Sequence, residues 1–184
     1  MNNNLDYLNR VYLRIDLDKI CNNIKEVIKK VGDDTKVMAV VKADAYGHGA
    51  IEVSKALSEI GTYGFAVATV GEALALRRAG ITKPILILDF VFPNQFETII
   101  RNDIMLTIFR YEIAKELNEA AEQMGTTVHI HIKVDTGMGR IGFIPDEESV
   151  DEIRRISQLP NVEIDGIFTH FACADEADKT SMNK

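Results

Sequence analysis

The segment Val40-Val-Lys-Ala-Asp-Ala-Tyr-Gly-His-Gly49 ends an apolar run on a lysine. Lys42 shares parity with Met38 and Val40, so it continues one face of the strand expected over Lys36–Val41. A lysine partly withdrawn from water has a lowered pKa and can act as nucleophile, base or imine-forming amine. Tyr46-Gly47-His48-Gly49 then leads into a helix, where glycines let backbone N–H groups approach a phosphate. A second set lies on Val128–Asp135, where His129, His131, Lys133 and Asp135 alternate with apolar residues and so share one face. Three inward ligands on a single strand spread too far for one zinc centre, so His129 and His131 read as structural. Arg140 sits among Gly137, Gly139 and Gly142, and His170 closes an apolar run. Taken singly, each of these has a plainer reading: a surface lysine ending a strand, a solvated turn arginine, a satisfied core histidine. His48 reads as a packing residue at a helix start.

The elements that must position these residues follow from periodicity. Tyr12–Asp16 alternates like a short strand, and Ile20, Ile24, Val27, Ile28 and Val31 recur at helical spacing before Gly32. Further strands are expected over Tyr63–Ala68, Pro84–Leu88, Ile104–Phe109, Thr127–Val134 and Val162–Phe171. Helices are expected over Ile51–Ile60, Ala73–Ala79, Pro93–Ile100, Tyr111–Met124 and Glu147–Gln158, the last with Val150, Ile153 and Ile156 inward. Thr69-Val-Gly-Glu72 has the form of a capping box. From Lys36 this makes six strand–helix steps, the last without its helix, and such alternation implies right-handed crossovers and a parallel sheet. An open doubly wound sheet and a (β/α)8 barrel both satisfy it. Units of about 25 residues would need roughly 200 for eight, so the chain is short of a barrel by two units. The polar face of Val128–Asp135 suits a barrel lumen, and equally an edge strand with a solvated face.

Composition sets the outer limits. Of 184 residues, 46% are hydrophobic and 27% charged, which is ordinary for a globular chain able to bury a core. A net charge of −7 argues against nucleic-acid or anionic-membrane partners. Cys21 and Cys173 are too few for a disulfide framework and lack metal-ligand spacing, so a reducing, cytoplasmic setting is expected. The polar start, Met1 to Arg10, has no signal-peptide pattern, and no apolar run nears the ~20 residues of a membrane span.

Val41-Lys-Ala-Asp-Ala-Tyr-Gly-His-Gly49 resembles the cofactor-lysine signature of the alanine racemases. Lys133-Val-Asp-Thr-Gly-Met-Gly-Arg-Ile-Gly142 and Gly166-Ile-Phe-Thr-His-Phe171 resemble two further signatures of that family, in the same order. The resemblance implies an α/β fold, a parallel (β/α)8 TIM-type barrel, here incomplete with about six strand–helix units. It implies pyridoxal 5'-phosphate as cofactor and interconversion of L- and D-alanine, supplying D-alanine for peptidoglycan. Lys42 would carry the cofactor as an internal aldimine and exchange the Cα proton on one face of the substrate. Tyr46 would hydrogen-bond the cofactor phosphate. Arg140 would contact the substrate carboxylate and the cofactor's phenolic oxygen, Lys133 would be carbamylated and orient Arg140, and His170 would lie near the pyridine ring. No metal is implied.

The same resemblance implies a homodimer whose second base, a tyrosine, comes from a C-terminal β-domain across the interface. It also implies an arginine late in the barrel that pairs with the pyridine nitrogen. Neither has a counterpart in residues 1–184. These residues are therefore expected to be the N-terminal part of a barrel domain, with 1–17 an N-terminal strand segment and 18–184 the partial barrel, and to be inactive alone. A serine or broad-specificity racemase of the same family, and a catalytically silent cofactor-binding fragment, remain open readings.

Overall fold

The computed structural model describes residues 11–178. The polar segment Met1–Arg10 and Tyr7 lie outside them, as does the end of Asp175–Lys184. Helix α1, Leu17–Val31, begins where the Asp16 side chain accepts the Lys19 amide at 3.1 Å and stops at Gly32. Then strands and helices alternate: β1 Met38–Val40, α2 Ala50–Ser58, β2 Gly64–Val67, α3 Val70–Arg78, β3 Ile85–Ile87, α4 Phe96–Arg101, β4 Met105–Ile108, α5 Tyr111–Gln123, β5 Val128–Lys133, α6 Glu147–Ile156 and β6 Val162–Phe168. A short 3-10 turn, Pro93–Gln95, precedes α4. Each expected strand and helix from Lys36 onward is present, with its ends shifted by a few residues; the helix expected over Ala73–Ala79 begins three residues earlier, at Val70.

All six strands are parallel and lie in sequence order, β1 to β6. A doubly wound sheet reverses its order at a switch point. Strict sequential order instead carries the crossovers round in one direction, as in a barrel. Two apolar layers result. Phe65, Ile87, Ile108 and Ile132 meet Leu76, Phe96, Leu117 and Ile156 of the helices in the outer layer. Ala66, Leu86 and Met105, with Met38, Leu88 and Phe168 against them, fill the inner one. Strands β2 to β4 are buried on both faces, which is why they read as nearly continuous apolar runs, interrupted only by Thr107 in β4.

Two expectations fail. Tyr12–Asp16 is not a strand: no described segment pairs with it, and Leu13 is 85% exposed. Alternation alone cannot make a strand where its hydrogen bonds have no partner. Val150 of α6 points outward although its spacing matches Ile153 and Ile156, because only the C-terminal half of α6 lies on the core.

Strand β5 settles the lumen-or-edge question. Val128, Ile130 and Ile132 join the outer core, while His129, His131 and Lys133 face the inner side. It pairs with β4 on one side and β6 on the other, so it is not an edge. The β5–β6 register slips between Ile130 and His131: Ile130 pairs with Ile164, but His131 pairs with Gly166. The extra residue, Asp165, bonds His129 at 2.9 Å. A Cβ on Gly166 would stand 3.1 Å from His131 Nδ1, so the glycine makes room for that ring.

Candidate active site

The chemistry gathers at the C-terminal ends of the strands. Immediately after β1, Ala43, Asp44, Ala45 and Tyr46 all have φ between 49° and 55°. Four consecutive non-glycine residues thus wind one left-handed turn, at about 1–2 kcal/mol each for an L-residue. The turn runs from Lys42 to Tyr46, and both residues line the same cavity. It is held at its far end by Asp44, whose side chain accepts the Ala50 amide at 2.7 Å, and by the His48 ring, 2.9 Å from the Ala45 carbonyl. The first amide of α2 is therefore already bonded.

At its near end the turn is tied to the next unit. The Ala43 amide donates to Glu72 Oε1 at 2.7 Å, and Glu72 Oε2 accepts from Ala68 at 2.8 Å and Thr69 at 3.1 Å. The Thr69 hydroxyl accepts from the Glu72 amide, which completes the expected capping box.

Beyond β5 the chain leaves the sheet and returns. Phe143 donates to the Lys133 carbonyl at 2.8 Å and accepts from the Asp135 amide at 2.9 Å, closing the intervening loop at its base. Gly142, at φ +143°, is required there, since a Cβ would lie 2.4 Å from the Asp135 nitrogen. Inside the loop the Asp135 carboxylate accepts the amides of Gly137, Gly139 and Arg140 at 2.9–3.0 Å. These bonds, Gly139 foremost, hold its pKa below the usual carboxylate value. The loop is joined to the end of β6 by a 2.7 Å hydroxyl pair, Thr136–Thr169, beside His170.

A cavity of about 150 Å³ opens between the ends of β1, β2, β3, β5 and β6. Lys42, Tyr46, Lys133, Arg140 and His170 all line it, so every site residue expected from the sequence converges there. Val40, Ala68, Leu88 and Phe168 supply its apolar walls. Lys133 is 5% exposed, and its amine lies 5.6 Å from the centre of the Phe168 ring. Burial pushes its pKa down, and so does the charge of Arg140; Asp89 and Asp135 pull the other way, and Lys42 adds the smallest push downward. Asp89, just past β3, is a lining residue that the sequence reading missed. The strand-end rule that singled out Lys42 would have found it. His129 and His131 lie lower on β5, outside the cavity lining.

The donor set can be tested against a pyridoxal-type cofactor. Three cationic side chains and a single carboxylate suit an anionic ligand, flat apolar walls suit a ring, and primary amines suit an aldehyde. The residues present fit the group.

Comparison with known proteins supplies the context. The family described as "Alanine racemase, N-terminal domain" matches residues 15–184. The alanine racemase of Clostridium tetani is 49% identical over 174 residues, covering 95% of this chain and 45% of that protein. That of Methanococcus maripaludis is 50% identical over 92% of this chain and 46% of its own length. The structure of an alanine racemase from Clostridium difficile 630 superposes with a TM-score of 0.85 at 44% identity, covering 91% of this chain and 43% of that one. The chain thus spans less than half the length of the curated relatives it matches.

Proposed function

Because the chain belongs to the alanine racemase N-terminal domain family, we propose that it forms the cofactor-bearing part of a pyridoxal-phosphate-dependent enzyme that interconverts L- and D-alanine. The observation that carries this reading is the convergence of Lys42, Tyr46, Lys133, Arg140 and His170 on one cavity at the strand C-termini. In barrel enzymes that face is where catalysis is built.

The chemistry supplied by bound pyridoxal phosphate is delocalisation of the electron pair left at Cα when a proton is removed. Everything else falls to side chains. Lys42 would hold the cofactor through Nζ and would accept or return the Cα proton on one face. The Tyr46 hydroxyl would donate to its phosphate. Arg140, presented by the Asp135-bonded loop, pairs with the substrate carboxylate and fixes the direction of the Cα–H bond. Lys133 lines the same cavity as Arg140 and feels its charge. As a carbamate it would turn a repulsion between two cations into a charge-assisted hydrogen bond. His170 supports the partner of the ring nitrogen. The proton acceptor for the opposite face is proposed to lie outside residues 1–184, in a dimeric enzyme, and those residues alone are proposed not to racemise alanine.

The test is borohydride reduction of the protein with pyridoxal phosphate, followed by peptide mapping. A single pyridoxyl group on Lys42 is expected. A group on Lys133 or any other lysine would overturn the assignment. Comparing D-alanine with D-serine formation by the complete enzyme then checks the substrate.

A further inference from the structure

A capping box needs only one oxygen of its glutamate, to accept the amide of the cap residue. In Glu72 that work, with the Ala68 amide added, is done by Oε2. Oε1 is left over, and it reaches back 29 residues to the amide of Ala43. Ala43 adjoins Lys42 and is the first of the four left-handed residues. Nothing else bonds its amide among the described residues. The carboxylate therefore spans two strand ends: Ala68 and Thr69 after β2, and the start of the turn after β1.

We propose that Glu72 is a positioning residue for Lys42: through the Ala43 amide it holds the strained turn against the end of β2 and so fixes where the lysine enters the cavity. The inference rests on the reading of Lys42 as the cofactor lysine. The physical case is direct. Four L-residues at positive φ relax toward the right-handed or extended regions unless their surroundings over-determine them. A charge-assisted bond at the first of them resists that relaxation where it would displace Lys42 most. Asp44 and His48 restrain only the far end.

The test uses the complete enzyme and separates positioning from helix capping. Thr69→Ala removes the other half of the capping box but leaves the Glu72–Ala43 bond. Glu72→Ala removes both, and Glu72→Gln keeps one acceptor oxygen. Amide exchange at Ala43 is read without cofactor, and pyridoxal-phosphate affinity and the pH profile of the lysine-bound absorbance are read with it. Melting temperature reports stability for each variant. Thr69→Ala is expected to lower the melting temperature and leave Ala43 exchange and the pH profile unchanged. Glu72→Ala is expected to speed Ala43 exchange and weaken cofactor affinity by roughly 10- to 100-fold, with a shifted pH profile. Glu72→Gln should fall between, and it decides the matter if Glu72→Ala does not fold. Glutamate variants that match Thr69→Ala in exchange and pH profile would overturn the proposal. A Lys42→Ala variant that still links the cofactor through a lysine would instead overturn the reading of Lys42, leaving the exchange result to stand or fall separately.

Discussion

In the β5–β6 register Lys133 pairs with Phe168, and the Lys133 amine lies 5.6 Å from the centre of that ring. The side chain thus lies against an aromatic face, with Arg140, Asp89, Asp135 and Lys42 as its charged neighbours, and no described carboxylate lies within ion-pair distance of it. Burial first, then Arg140, lowers its pKa. Carbon dioxide reacts only with the uncharged amine, releasing one proton as the carbamate forms, so this setting favours the reaction. With 13C-bicarbonate, a carbamate carbon resonance that vanishes in Lys133→Gln is expected. Its absence at saturating bicarbonate, near or above neutral pH, would count against carbamylation.

Gly142→Ala should detach the loop that carries Arg140. The backbone conformation alone costs about 1–3 kcal/mol for a side chain. The added Cβ would also meet the Asp135 nitrogen at 2.4 Å, and backbone cannot yield as a flexible side chain does. In the racemase proposed above, the expected outcome is a lower melting temperature and at least tenfold higher KM for the amino-acid substrate. An unchanged KM would show that Arg140 is placed by something else.

Asp135→Ala leaves three loop amides without their acceptor. Trypsin cleavage after Arg140 should accelerate severalfold relative to the native protein. The sign of the pH effect follows from the lowered carboxyl pKa. The stabilisation is complete above the unfolded value of about 3.9 and is lost as pH falls through the lower folded value. Protection of the Gly139 amide should therefore persist to about pH 4 and fall only in stronger acid.

His129 gives the opposite dependence. Its hydrogen bond to Asp165 raises its pKa, helped by the nearby charges of Glu163 and Asp103. Such a group stabilises most below the unfolded value of about 6.5, and the gain is lost as pH rises through the folded value. The melting temperature of Asp165→Asn should trail the native protein at pH 5.5 and approach it by pH 9. A constant gap would mean that the pair is not titrating.

The strands and the lysines, arginine and histidine of the site were legible because each lies on an apolar run or inside a long motif. Lys42, Lys133 and His170 needed only strand parity and resemblance. The left-handed turn was not legible: Ala-Asp-Ala-Tyr contains no glycine, so propensity gives no sign of positive φ. Glu72 was visible as half of a local cap, but its bond to Ala43 spans 29 residues and has no local signature. The register slip that aims Asp165 at His129 had only a faint sign, Asp165-Gly166 inside an apolar run, where a glycine often marks a bulge. Tyr12–Asp16 shows the reverse error, a pattern without a partner.

The left-handed turn after β1 also has a kinetic meaning. No local preference can nucleate it, because each of its residues favours the other hand when the chain is free. Besides its own backbone bond from the Ala45 amide to the Val41 carbonyl at 2.9 Å, its restraints are Glu72, which must first be seated beside β2, and the start of α2. Scaffold must therefore precede site: the sheet assembles and the lysine is then wound into place. Substitutions at Ala43–Tyr46 should accordingly alter the unfolding rate and leave the refolding rate nearly unchanged, whereas Phe65 or Ile85 in the neighbouring strands should slow refolding itself.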